Sequence, residues 1–118
     1  MSTPIARVIL YVKNIPKVAE FYRRHFGMTA LPSSEKGWLE MTNPAGGCNI
    51  ALHQAAKSQK SGAAMKIVFR VTDVREFIRE REQQGLKFGP LHEAGDFEFA
   101  NAKDPAGNSI QISSRGLK

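Results

Sequence analysis

The stretch DPAGNSIQI, Asp104–Ile112, has an echo in NPAGGCNIAL, Asn43–Leu52. In both, Asn or Asp is followed by Pro, Ala and Gly, and then by a run that ends in alternating apolar residues. Asn or Asp accepts hydrogen bonds from nearby backbone amides, Pro presets φ, and Gly adopts positive φ, so each phrase reads as a turn that feeds a strand. Working outward, RVILYVKNIPKVAEFY (residues 7–22) opens the first half of the chain and KIVFRVTDVREFIRER (residues 66–81) opens the second. Val12 and Val71 stand 59 positions apart, and Pro44 and Pro105 stand 61 apart. A nearly constant offset assigns one supersecondary unit to each half.

Each unit begins with a strand, Arg7 to Val12 and Lys66 to Val71, rich in Val, Ile, Phe and Tyr. A helix follows, with Asn14 and Asp73 as N-caps and Pro16 in a first turn. Val18, Phe21, Tyr22, His25 and Phe26 share a face of the first helix, and Val74, Phe77, Ile78 and Arg81 share one of the second. Gly27 and Gly85 stand where a left-handed helix stop belongs. Short strands come next: GWLEM and CNIALHQ in the first half, DFEFANA and SIQISS in the second. Further short strands are expected near Thr29–Leu31 and near Lys87–Phe88. The fold class is α+β. Two tandem β-α-β-β-β units form curved antiparallel sheets, with the helices outside. The expected division is one domain over 1–118, with units over 5–54 and 64–114 and a small, polar linker over 55–63.

The chain has 118 residues, which fits one compact domain. Its apolar runs reach only four or five residues, and MSTPIARVIL has no basic region followed by a long apolar core, so neither a membrane partner nor a signal peptide is expected. One cysteine, Cys48, excludes an internal disulfide and a cysteine-rich zinc site, and Cys48 reads as a small buried hydrophobe. These points favour the cytoplasm. The net charge is +6. The basic residues are scattered and no nucleic-acid motif accompanies them, so no nucleic-acid partner is expected. There is no glycine-rich phosphate loop, no Gly-x-Ser-x-Gly elbow and no His-Glu-x-x-His helix.

VKNIPKVAEFYRRHFGM (residues 12–28) after the first strand and KDPAGNSIQI (residues 103–112) near the end carry a resemblance. The chain resembles the vicinal oxygen chelate superfamily of glyoxalase I, extradiol dioxygenases, and bleomycin and fosfomycin resistance proteins. The resemblance covers both repeats and implies two units whose sheets curl around a cavity. It does not fix the reaction, because such a fold hosts many functions. Metal-dependent members place His or Glu on the first and last strands of each unit. The matching positions here are Arg7, Ala51, Lys66 and Gln111. Arg7 donates only, Lys66 is cationic, Ala51 has no donor atom and Gln111 offers one neutral oxygen. No metal and no cofactor are expected from that set. His53, two residues beyond Ala51, shares its strand face, and one histidine does not make a metal site. His25 falls on a helix and His92 in a loop.

Strand alternation defines the expected cavity lining. Arg7, Ile9 and Tyr11 face it from one first strand, and Lys66, Val68 and Arg70 from the other. Asn49, Ala51 and His53 face it from one closing strand, and Ser109, Gln111 and Ser113 from the other. Trp38 with Glu40, and Glu98 with Ala100, complete it from the middle strands. Two uses of this lining stay open. Arg7, Lys66 and Arg70 hold an anionic or polar organic molecule while Trp38 or Tyr11 stacks on it, or the cations snorkel and pair with Glu40 and Glu98. The resemblance implies metal-free binding of a small organic molecule, as in the bleomycin-resistance branch, by a homodimer. The alternative is a lyase, isomerase or dioxygenase of the same superfamily, either with metal or by acid–base chemistry at His53 and Glu40.

Overall fold

A computed structural model describes residues 5–58 and 65–115. They fall into two compact units, residues 5–58 and 65–115. The expected linker 55–63 lies partly outside the described residues. No described helix is long and apolar enough to cross a membrane.

In the first unit, β1 (Arg7–Val12) leads into α1 (Ile15–Phe26), then β2 (Thr29–Ala30), β3 (Trp38–Thr42) and β4 (Asn49–Gln54). The sheet order is β1-β4-β3-β2. Helix α1 starts where the Asn14 side chain accepts the Lys17 N–H, with Pro16 in the first turn, whose missing N–H has no helical partner to lose. It stops at Gly27, whose φ of 68° only glycine adopts freely. Arg23, Arg24 and His25 occupy the last turn, where positive charge suits the helix dipole. Val18, Tyr22 and His25 are its buried stripe. They share the unit's interior with Leu10, Val12, Met28, Met41, Ile50 and Leu52.

The second unit repeats the plan with β5 (Lys66–Arg70), α2 (Val74–Gln83), β6 (His92–Ala94), β7 (Phe97–Lys103) and β8 (Ser109–Ser113), ordered β5-β8-β7-β6. Asp73 caps α2 by accepting the Glu76 N–H. This helix interleaves both charges and fully buries only Val74, so the interior here rests on Leu86, Ala100, Ile110 and Ile112.

The sheets are mixed, where antiparallel sheets were expected. β1 runs parallel to β4 and β5 parallel to β8. The connectivity requires this: the helix carries the chain back before the next strand, two reversals follow, and the closing strand then points the same way as the first. The expected strand at Lys87–Phe88 does not form. The strand lies further on, over His92–Ala94, so His92 is in a sheet and not in a loop.

Both copies of the quoted turn behave as their chemistry dictates. The Asn43 side chain accepts the Ala45 N–H, and Gly46 takes φ 103°. In the second copy, the buried Asp104 carboxylate accepts the N–H groups of Ala106 and Asn108 and the Asn108 side-chain amide. Asn108 carbonyl accepts the Asp104 N–H in return, which closes the loop at the mouth of β8.

Candidate functional site

Each sheet has one face toward its helix and one face away from it. On β1, Leu10 and Val12 are buried while Arg7, Ile9 and Tyr11 are exposed, as period-two alternation requires. On β5, Lys66, Val68 and Arg70 are exposed while Ile67 and Phe69 are half-buried. Apolar side chains on the away faces stand open: Ile9 is 38 %, Tyr11 42 % and Val68 54 % exposed.

On the first sheet the register sets Ile9 and Glu40 beside Ala51, and Tyr11 and Trp38 beside His53. The first group of contacts is polar. Arg7 Nε donates to Glu40 Oε2 at 2.9 Å, and Asn49 Nδ2 donates to the same oxygen at 2.8 Å. The Glu40 side chain is only 15 % exposed. The Asn49 amide, with Arg7 beside it, holds the Glu40 carboxyl below its ordinary range because both stabilise the anion. Arg7 is therefore paired, as one of the two open uses had it.

The second group is aromatic. The Tyr11 and His53 rings lie 5.1 Å apart, and Trp38 meets His53 edge-on at 6.1 Å. His53 Nδ1 lies 2.9 Å from the Gln54 carbonyl oxygen. A carbonyl only accepts, so Nδ1 carries the proton and Nε2 keeps its lone pair while the ring is neutral. Ala51 is completely buried and presents no atom to solvent.

On the second sheet Val68, Gln111 and Asn101 form one row, and Arg70, Ser113 and Phe99 form the next. Asn101 Oδ1 accepts from Lys66 Nζ at 3.1 Å and from Gln111 Nε2 at 2.9 Å. His92 stacks on Phe99 at 4.9 Å. This register corrects the expectation for the middle strand. Glu98 and Ala100 lie on the helix face, where Ala100 is buried beside Ile112 and Glu98 accepts from Arg75 of α2 at 3.0 Å. Phe99 and Asn101 occupy the away face in their place, because moving one position along a strand changes the side to which a residue points. The offset of 61 between Pro44 and Pro105 held that signal, since it maps Trp38 and Glu40 onto Phe99 and Asn101. Cys48 is also corrected. It is exposed in the turn before β4, one residue short of the strand that would have buried it.

The nine expected site residues thus form two groups. Arg7, Tyr11, Trp38, Glu40, Ala51 and His53 belong to the first sheet, and Lys66, Arg70 and Gln111 to the second. Asn101 and Phe99 were not anticipated.

The four positions that a metal would use do not fit a divalent ion. Arg7 and Lys66 bring positive charge, Ala51 brings a methyl group, and Gln111 spends its amide on Asn101. Among the described residues, no three His, Cys, Asp or Glu side chains gather in a way that could hold one.

Comparison with known proteins is consistent with this architecture. The model of the Glyoxalase/Bleomycin resistance protein/Dioxygenase superfamily matches residues 4–112, and the chain belongs to that superfamily. Comparison with curated proteins by sequence finds no match. Among solved structures, the chain is similar to TnmS3, an antibiotic-binding protein from Streptomyces sp. CB03234. That pair shares 18 % identity, with 95 % of this chain and 96 % of the other covered and a TM-score of 0.79. A lactoylglutathione lyase from Agrobacterium tumefaciens has 20 % identity, 95 % and 93 % coverage and a TM-score of 0.75. An integron cassette protein from the mobile metagenome of V. cholerae has 25 % identity, 96 % and 95 % coverage and a TM-score of 0.73.

Proposed function

We propose that this protein binds a small polar or anionic organic molecule without a metal, on the sheet faces that carry Arg7, Tyr11, Trp38, Glu40, Ala51, His53, Lys66, Arg70 and Gln111. The observation that carries this reading is the state of the metal positions. Arg7 is held by Glu40 and Asn49, and Lys66 and Gln111 meet on Asn101, so both sets are satisfied by protein groups. On the first sheet, one row along from Ile9, Ala51 and Glu40, lies an aromatic cluster, Tyr11, His53 and Trp38, suited to a flat ring. The antibiotic-binding neighbour supports a sequestering role by analogy of fold. The open Ile9, Tyr11 and Val68 support a homodimer that covers them. An exposed lone thiol, Cys48, suits the reducing cytoplasm.

The test is elemental analysis of the purified protein, followed by thermal-shift titration with Zn²⁺, Ni²⁺, Mn²⁺ and Fe²⁺ and with a panel of anionic, neutral and cationic aromatic molecules. Ligands of the folded state raise the melting temperature. The reading expects a response to panel members and none to the ions. One tightly held ion per chain would overturn it in favour of a metalloenzyme. Light scattering on a sizing column tests the dimer.

A second reading has one observation in its favour: His53 lies against Tyr11 and Trp38 with Nδ1 turned to the Gln54 carbonyl, which makes Nε2 the basic nitrogen of the neutral ring. It makes His53 a general base in a metal-free lyase or isomerase. Glu40 does not serve beside it, since its carboxyl is held low and committed to Arg7 and Asn49. Activity in a substrate screen that His53→Ala abolishes would establish this second reading.

A further inference from the structure

We infer that the away face of β5-β8-β7 is an oxyanion site, which takes a phosphate or carboxylate group through Lys66, Lys103, Arg70 and the side-chain amide of Asn101. The inference deepens the proposed function and rests on it.

The first ground is charge. Lys66, Ser109 and Lys103 form one row across the three strands, with Arg70 on the same face two rows along β5. Reading the alternate positions on this face gives Lys66, Val68 and Arg70; Ser109, Gln111 and Ser113; Phe97, Phe99, Asn101 and Lys103. There are three cations and no carboxylate among them. The unit's acids are elsewhere. Asp73 caps α2, Glu76 pairs with Arg79, and Glu93 and Glu98 hold Arg75. Asp104, the sequence neighbour of Lys103, turns its carboxylate into its own loop. Glu80 and Glu82 lie on α2, and Asp96 lies in the turn before β7. Lys66 and Lys103 accordingly meet only neutral oxygens among the described residues, Asn101 Oδ1 and Ser109 Oγ. The first sheet differs, because there Glu40 compensates the cation Arg7.

The second ground is the direction of the hydrogen bonds. Asn101 Oδ1 accepts from both Lys66 and Gln111, and both partners are donors, so the amide orientation is fixed. With the two lone pairs of Oδ1 used, the Nδ2 group presents donors alone. Lys66 keeps two further N–H bonds and Gln111 one. Successive rows are about 7 Å apart along a strand; Lys66 Nζ spans that distance to Asn101, and the row of Arg70 adjoins that of Gln111 and Asn101 on its other side. Cations that meet no carboxylate among the described residues, around a fixed set of N–H donors, match an oxyanion and reject a metal ion or a cationic ligand.

The test is titration of the ¹⁵N-labelled protein with inorganic phosphate, and separately with acetate, at ionic strength held constant with chloride. The side-chain amide signals of Asn101 and Gln111 are followed. A saturable shift is expected. Lys66→Gln and Lys103→Gln should each weaken phosphate binding about tenfold, by loss of a charge-assisted contact. Arg75→Gln removes the same charge from the helix side and should leave binding unchanged. Two separate lysine variants keep the test decisive if one of them does not fold. Absence of a saturable shift, or equal weakening by Arg75→Gln, would overturn the inference. If neutral aromatic molecules still bind in that case, the proposed function stands; if no panel member binds at all, it falls as well.

Discussion

Asn101 occupies in the second unit the position that Glu40 occupies in the first. Glu40 lies opposite Ala51 and Asn101 lies opposite Gln111 on the two closing strands, and each accepts two side-chain hydrogen bonds through a single oxygen. The repeat thus preserves an acceptor on the middle strand and changes its charge. An anionic acceptor neutralises Arg7, whereas a neutral one leaves Lys66 with its full field. That difference governs how the two sheet faces respond to pH and to ligands.

Glu40 makes stability depend on pH in a definite direction. Its carboxyl is held below the ordinary value of 4.5 by Asn49 and Arg7. A group with a lowered folded pKa contributes its full stabilisation above the unfolded value and loses it as pH falls through the folded value. Glu40→Gln should therefore lower the melting temperature by a few degrees at pH 7. The gap from the parent protein should close as pH falls below 4.5. Melting curves of both proteins from neutral to acidic pH check this, and a gap that widens in acid would contradict it.

Asp104 and Asn43 head the same turn with different commitments. The buried Asp104 carboxylate accepts three hydrogen bonds, whereas the Asn43 side chain accepts one. Leaving several half-buried donors unsatisfied around a buried position costs about 1–3 kcal/mol, so Asp104→Ala should destabilise by that amount. Asn43→Ala should cost about 0.5–1.5 kcal/mol, as for one net hydrogen bond. Urea unfolding of the two variants measures the difference.

Trp38 is the chain's one tryptophan, and it lies edge-on to His53. Its fluorescence therefore reports directly on the aromatic cluster. Binding of an aromatic panel molecule should quench or shift that emission. Tyr11→Ala should weaken the binding by about fivefold, the loss of roughly 1 kcal/mol of ring contact. Fluorescence titration of both proteins gives the two constants.

Cys48 should react with a thiol reagent in the native state, without prior unfolding, because it is exposed. Cys48→Ser should leave the unfolding free energy unchanged within about 0.5 kcal/mol, as for an exposed position. A thiol that reacts only in denaturant would contradict the exposure.

Most of the architecture was legible from residues 7–22, 66–81 and the two Pro-Ala-Gly turns, because their chemistry is local. Caps, glycine stops and period-two alternation act over a few residues, and Asn14, Asp73, Gly27, Leu10 and Val12 all play the parts that their types dictate. Register is not local. FEFANAK alternates the same way whichever side faces the helix, and its two phenylalanines favour the wrong side for the core. Ile110 and Ile112 on the neighbouring strand decide the matter, by drawing Ala100 against themselves. The parallel pairing of each first strand likewise depends on where the closing strand inserts, which no single segment records. For the site, residue types were legible and partners were not. Arg7 and Lys66 look alike in sequence, and only the strand opposite shows that one meets a carboxylate and the other an amide.

In each unit the strand that comes last in sequence lies inside the sheet, bonded to the first strand on one edge and to the middle strand on the other. As the chain emerges from the ribosome, β1 therefore has no partner until Asn49–Gln54 has been made, and β5 has none until Ser109–Ser113 follows. The pairs β2–β3 and β6–β7 do not need the closing strand, but the first strand cannot join its sheet without it, and until then it offers an open edge, a risk for mispairing with other chains. The Asp104–Asn108 loop sits at the entry to the second closing strand, so the phrase that betrays the repeat also delivers the strand that its second copy needs to close.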